Sequence, residues 1–324
     1  MENQDTHTTS QPPKDTEWER DVLEKLAFSA VTEQRRTRRW NNFFKSLMFI
    51  YLLGIFAMAM YPKFKDGISG GDKPHAAVID ISGVIAESED ANADSIIEGL
   101  RAAAKDTNTK GIILKINSPG GSPVQSAYIY DEIRRIKAKQ PDLPIYSVVG
   151  DICASGGYYI AAATDKIFVS QASIIGSIGV IMNGFGFVDV LEKLGVERRL
   201  LTAGSHKAML DPFSPAKEEE TQHMQILLDE VHQQFIDAVK AGRGDRLKES
   251  DDMFSGLVWT GAEGVKLGLA DGFGNVDSIA RDVLETEQKV NFTPQERLLD
   301  KLAGSLGASF GQAFSSAINN VSLR

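Results

Sequence analysis

The sequence predicts an α/β domain built on a largely parallel, buried sheet. Three observations predict it. Apolar, β-branched runs alternate with helical patterns from residue 76 to residue 289, the strands carry few polar positions, and two of the strands run into glycine-containing turns. Ala76–Ile85 reads as the first strand and 93–105 as the helix after it. Strand 111–117 is followed by helix 124–138, strand 145–150 by helix 156–164, and a further strand is expected at 166–170. Two more strands, 177–182 and 197–202, flank a helix over 187–194. Ser214-Pro215 has the form of a helix start, with serine at the cap and proline at the first position, and Glu218 to Glu220 suit the positive end of the dipole. That helix is expected to reach about Ala241 with Leu227, Leu228, Val231, Phe235, Ala238 and Val239 on one stripe, and helices 260–268 and 276–289 close the domain.

Composition narrows the function. The chain of 324 residues has a net charge of −9 and an isoelectric point near 5.2, with no basic patch beyond residues 35–45, which excludes a nucleic-acid binder. The one cysteine, Cys153, cannot form an intramolecular disulfide, and no Cys/His cluster has metal-ligand spacing. No metal and no other cofactor is expected.

The chain before the domain has a different character. Residues 1–16 are polar and offer nothing to bury, and Val22, Leu23, Leu26, Ala27, Ala30 and Val31 recur at helical spacing within 17–40. Residues 1–45 thus form an N-terminal tail with a short amphipathic helix. Between Lys45 and Lys63 lie 17 uncharged residues, 46–62, which as a helix span about 25 Å, enough for a short transmembrane anchor with Trp40 and Tyr61 at the interfaces. Four arginines and Lys45 precede it, whereas only Lys63 and Lys65 follow closely, so the N-terminus is expected in the cytoplasm. The main domain then lies outside it, in the periplasm if the membrane is a bacterial inner membrane. A linker, 63–75, leads to a domain at 76–290 and a tail at 291–324 rich in Gly, Ala and Ser.

Chemistry concentrates at two turns. Cys153-Ala-Ser-Gly-Gly-Tyr-Tyr159 places Ser155 between a strand and a helix, where unpaired amides can stabilise an oxyanion beside a serine nucleophile. Taken alone, this stretch reads more simply as a helix cap. Asn117-Ser-Pro-Gly-Gly-Ser122 ends the preceding strand, and in a parallel sheet both turns fall at the carboxyl edge, where ligands bind. A serine needs a base. His75 falls in the linker, and His223 and His232 fall on the long charged helix, where a solvated surface is the simpler reading. His206 and Lys207 share a glycine-containing loop, and chemistry alone leaves both open as the base.

Four ordered motifs, Asn117-Ser-Pro-Gly-Gly121, Ala154-Ser-Gly-Gly-Tyr-Tyr159, Ile175-Gly-Ser-Ile-Gly-Val180 and Gly204-Ser-His-Lys-Ala208, resemble the signal peptide peptidase A (SppA) family of membrane-anchored serine peptidases in its short, single-repeat form. The resemblance spans about residues 76–285. It implies a ClpP/crotonase-like fold of repeated β-β-α units and a Ser–Lys dyad, with Ser155 as nucleophile, Lys207 as general base and Ser177 orienting that lysine. It implies oxyanion donors at Gly120 or Gly121 together with the Ser155 N–H, and homo-oligomers in which the serine and lysine of one site can come from neighbouring subunits. The substrates implied are hydrophobic peptides such as cleaved signal peptides. Two other readings share the fold. An acyl-CoA enzyme conflicts with an anchor that carries the domain away from cytoplasmic CoA, and a non-catalytic scaffold of membrane complexes would leave Ser155 unreactive towards a fluorophosphonate.

Overall fold

The structure is a computed structural model that describes residues 18, 21–22, 24–25, 38–56 and 72–294. The chain divides into two compact units, Met1–Ser69 and Gly70–Arg324. In the first, residues 38–56 form helix α1, exposed along its length, on which the rings of Trp40, Phe43 and Phe44 touch one another. Among the described residues no helix is long and apolar enough to cross a membrane. The span expected at 46–62 is described only as far as residue 56. The tail 1–16, most of the linker 63–75 and the tail from 295 lie outside the described residues.

The second unit carries a mixed α/β sheet. Its elements are β1 (His75–Ile85), α2 (Ala93–Lys105), β2 (Thr109–Gly121), α3 (Pro123–Lys139), β3 (Ile145–Ala154), α4 (Gly156–Ala162), β4 (Lys166–Val169) and β5 (Ile174–Gly176). After them come α5 (Val188–Lys193), α6 (Glu218–Arg243), β6 (Val258–Thr260), α7 (Gly261–Lys266), β7 (Gly272–Phe273), α8 (Val276–Asp282) and β8 (Lys289–Asn291). Local chemistry sets the helix starts. Asn92 accepts from the Ser95 N–H, Ser122 caps α3 with Pro123 in the first turn, and Asn275 and Ser278 cap α8 reciprocally.

The strands run in the order β6-β5-β3-β2-β1-β8, parallel except for β5 against β6. Strand β3 changes partner along its length. Residues 146–148 pair with β4, which carries β7 on its other side, and residues 152–154 pair with β5. Alternation along the strands splits the core. Ile79, Ile81, Leu114 and Ile116 pack with α2, α3, α4 and α6 on one face, while Ala76, Ile113, Val148 and Phe168 meet Ile279, Ala280 and Leu284 at α8 on the other.

Several expectations need correction. Residues 177–182 are not a strand, because β5 ends at Gly176 and Ser177 turns to a positive φ of 53°. Residues 197–202 form no strand either, and they lie in an exposed arm, residues 180–217, that leaves the sheet after β5 and returns at α6. Helix α6 begins at Glu218 with Lys217 at its cap, later than the Ser214-Pro215 signal, because Ser214 Oγ donates to Asp211 within the arm. Helix α8 stops at Asp282, well short of 289. His75 is fully buried at the start of β1, with its Nδ1–H donating to Lys73 O at 2.9 Å and its ring on Phe292.

Helices α2 and α3 are tied by charge as well as by apolar packing. The buried Glu132 carboxylate accepts from Arg101 Nε at 2.8 Å and Arg135 Nε at 2.7 Å. The Arg135 hydrogen bond first, with Arg101 adding to it against the effect of burial, holds its pKa down to about 2. Its contribution to stability is therefore complete above the ordinary glutamate range and lost as pH falls towards 2. Glu132→Gln should lower stability by roughly 1–2 kcal/mol at neutral pH and close that gap by pH 2. Urea midpoints of both proteins across pH 2–6 check this.

Candidate active site

Ser155 is the single residue between the end of β3 and the start of α4, and the turn forces it to φ 51°, ψ −123°. Such a conformation costs about 1–3 kcal/mol and persists only where the surroundings impose it. Here they do. The Ser155 N–H donates to Gly176 O at 2.8 Å and its carbonyl accepts from the Tyr159 N–H at 2.9 Å. The serine stands at the cap position of α4, but its hydroxyl makes no capping hydrogen bond, so the Oγ is not committed to the helix.

The neighbouring strand end repeats the distortion. Ala154 lies opposite Gly176 in the β3–β5 register, so Ser155 and Ser177 sit on adjacent strand ends, Ser177 held by its N–H to Leu257 O at 2.7 Å. On the other side lies the glycine turn that ends β2. Gly120 has φ 101°, and a Cβ there would stand 2.7 Å from Ser155 Cβ and 2.8 Å from Gly156 N. Only glycine fits this approach. The two turns read separately from the sequence are therefore packed directly against each other.

The amides divide unevenly. The Ser155 N–H, expected as an oxyanion donor, is taken up by Gly176 O, and the Gly120 N–H donates to Ser118 Oγ at 3.1 Å. The Gly121 and Gly156 amides lie along the cavity with Ser155. The Gly121 nitrogen is 3.3 Å from where a Gly156 Cβ would stand, and the Gly156 N–H, in the first turn of α4, lacks an intrahelical acceptor.

Ser155, Gly121 and Gly156 open onto a cavity of ≈ 380 Å³ walled by Val124, Tyr128, Tyr159, Val180, Val231 and Phe235. Tyr159 is fixed there, stacked on Phe235 with ring centroids 5.0 Å apart and edge-on to Tyr130. The apolar stripe of the long helix was visible in the sequence, but its use as a cavity wall was not. His232 likewise belongs to the site's surroundings rather than to solvent: it is half-buried, and its Nε2–H donates to Ile178 O at 3.0 Å, next to Ser177.

Lys207 is placed differently. Its side chain is exposed on a turn of the arm, and it is not part of the cavity wall. Within one chain the structure gathers Ser155, Ser177, Gly120 and Gly121, while the exposed Lys207 side chain does not line the cavity. Among the described residues no group of three or more His, Cys, Asp or Glu side chains could hold a metal ion.

The comparisons with known proteins fit this geometry. The sequence profile of the Clp protease family matches residues 77–175, and that of peptidase family S49 matches residues 137–291. Two relatives, both named as putative, are signal peptide peptidase SppA of Enterococcus faecium and protease slr0021 of a Synechocystis species. The first is 33% identical over 229 residues, 68% of this chain and 66% of that protein, and the second 31% over 198 residues, 61% of this chain and 69% of that protein. The chain belongs to peptidase family S49. A Brucella abortus protein named Na(+)/H(+) antiporter NhaA is 43% identical over 213 residues, and the match spans only 29% of that protein's length. The match to the Brucella protein covers less than a third of its length, and the antiporter name is said of that longer protein.

Proposed function

We propose that this S49 chain is a membrane-anchored serine endopeptidase that degrades hydrophobic peptides, such as cleaved signal peptides, with a Ser155–Lys207 dyad. The observation that carries the reading is Ser155 itself, strained, uncommitted at its hydroxyl and open to an apolar cavity beside the Gly121 and Gly156 amides. In this reading Lys207, as the neutral amine, takes the Ser155 proton as Oγ attacks the peptide carbonyl. The oxyanion is held by the Gly121 and Gly156 N–H groups. The lysine returns the proton to the leaving amine, and water, activated by the same base, releases the acyl group. Ser177 orients the lysine. The apolar walls suit an apolar side chain next to the scissile bond.

The lysine is supplied by a neighbouring copy in a homo-oligomer. Two observations support this. Lys207 stands outside the cavity of its own chain, and the arm that carries it exposes Ile181, Phe185, Leu194 and Leu201, the last at 98%. A six-residue helix such as α5, which buries nothing of its own, needs a partner surface. Residues 46–62 anchor the assembly in an inner membrane with residues 1–45 in the cytoplasm, which puts the peptidase domain, residues 76–290, on the periplasmic side, where released signal peptides are within reach.

The test is labelling of the folded protein with a fluorophosphonate. Covalent modification at Ser155, lost in Ser155→Ala, is expected. Folded protein that stays unlabelled beside a reactive control peptidase speaks for a scaffold instead.

A further inference from the structure

We propose that Glu220 is a positioning residue for the Lys207 turn and that it acts through His206, an inference that rests on Lys207 being the base. The hydrogen bonds of this turn are local: Lys207 N–H to Gly204 O, Met209 N–H to His206 O and Asp211 N–H to Ala208 O. They shape the turn without placing it. Two sets of side-chain ties reach beyond it. One, the Arg198–Asp211 ion pair at 3.0 Å together with the Ser214 Oγ–Asp211 hydrogen bond, joins the far end of the turn to other parts of the same arm and so gives no anchor outside it. The other tie does: His206 Nδ1–H donates to Glu220 Oε1 at 3.4 Å. Glu220 lies in the first turn of α6, whose Phe235, Ala238 and Val239 are buried in the core.

The Glu220 side chain is only 4% exposed, whereas the Glu219 carboxylate, 3.9 Å from the same ring, is 71% exposed. A carboxylate kept from water is costly unless it is paired. Lys217 Nζ pairs with it at 2.9 Å, and that ammonium first, with His206 adding to it, holds the Glu220 carboxyl below the ordinary range against the effect of burial. Glu220 is thus an ionised acceptor with two donors. One of them, Lys217, belongs to its own helix cap. The other is the residue next to Lys207 in sequence, so a shift of the His206 ring moves the base. Lys217 and Glu219 are the other charged groups within reach of this pair.

The experiment measures kcat and KM on one chromogenic peptide with the full chain, for the wild type, Glu220→Ala, Glu220→Gln, His206→Ala, the double variant His206→Ala/Glu220→Ala, and Lys207→Ala as reference. Misplacing a catalytic group lowers the rate rather than substrate binding. Glu220→Ala should lower kcat about 10-fold with KM within about twofold, and Glu220→Gln, which still accepts from Nδ1–H, should recover part of it. The double variant should be no slower than Glu220→Ala, since one pathway is cut twice. Wild-type kcat in Glu220→Ala, or additive losses in the double variant, overturns the tether. If Glu220→Ala does not fold, the same decision rests on His206→Ala and Glu220→Gln, and unchanged kcat in His206→Ala overturns it. An active Lys207→Ala would instead reject the dyad on which the inference stands.

Discussion

Replacing Lys207 with alanine should reduce peptide hydrolysis by about 10³-fold or more while leaving the fold intact. The size follows from the chemistry. A serine hydroxyl is a poor nucleophile while protonated, and a positioned base contributes about 10²–10⁴-fold. The fold should survive because the Lys207 side chain is exposed and lies outside the core. The same substitution tests where the lysine comes from. Mixed oligomers of Ser155→Ala and Lys207→Ala subunits contain intact sites only if serine and lysine meet across an interface. Activity should reappear on co-expression, up to about a quarter of the wild-type value if subunits mix at random. Co-expressed variants as inactive as each alone would place both groups in one chain.

Gly120→Ala should be nearly as damaging, for a different reason. The added methyl would stand 2.7 Å from Ser155 Cβ, and the backbone at φ 101° disfavours any side chain. Either the glycine turn retreats or the serine does. Displacing a catalytic group by about 1 Å costs about 10²-fold, and losing an oxyanion donor costs about 10²–10³-fold. We expect kcat to fall by at least about 10²-fold and the thermal midpoint to drop, since alanine is strained at this φ. A variant with wild-type kcat would show that the two turns do not act as a unit.

How much of this was legible beforehand depended on whether a signal was local. Helix 93–105 and the strand opening at Ala76 could be read from periodicity and caps, because side chains and their partners lie on the same element or its neighbour. Residues 177–182 looked like a strand because they are apolar, but Ile181 is 83% exposed. Hydropathy records that a side chain avoids water, not whose surface covers it. The pressing of Gly120 against Ser155 was hidden for a similar reason, since two turns 35 residues apart meet only when β2 and β3 pair. Position in the chain alone points His75 to a linker and His232 to solvent, but both owe their environment to distant partners, Phe292 and Ile178. The four motifs of the glycine turns, Ser177 and the Lys207 turn were readable because each is contiguous.

The burial of Cys153 has a practical consequence. This residue is the only thiol in the chain, it is fully buried between β2 and β5, and burial pushes its pKa up, so little reactive thiolate forms. Native protein is therefore silent to thiol reagents. A cysteine introduced on the arm, at exposed Phe185 or Leu201, would be the single addressable sulfur in the folded molecule. A dye or a cross-linker attached there would report what the arm touches as subunits assemble, with no cysteine to remove first.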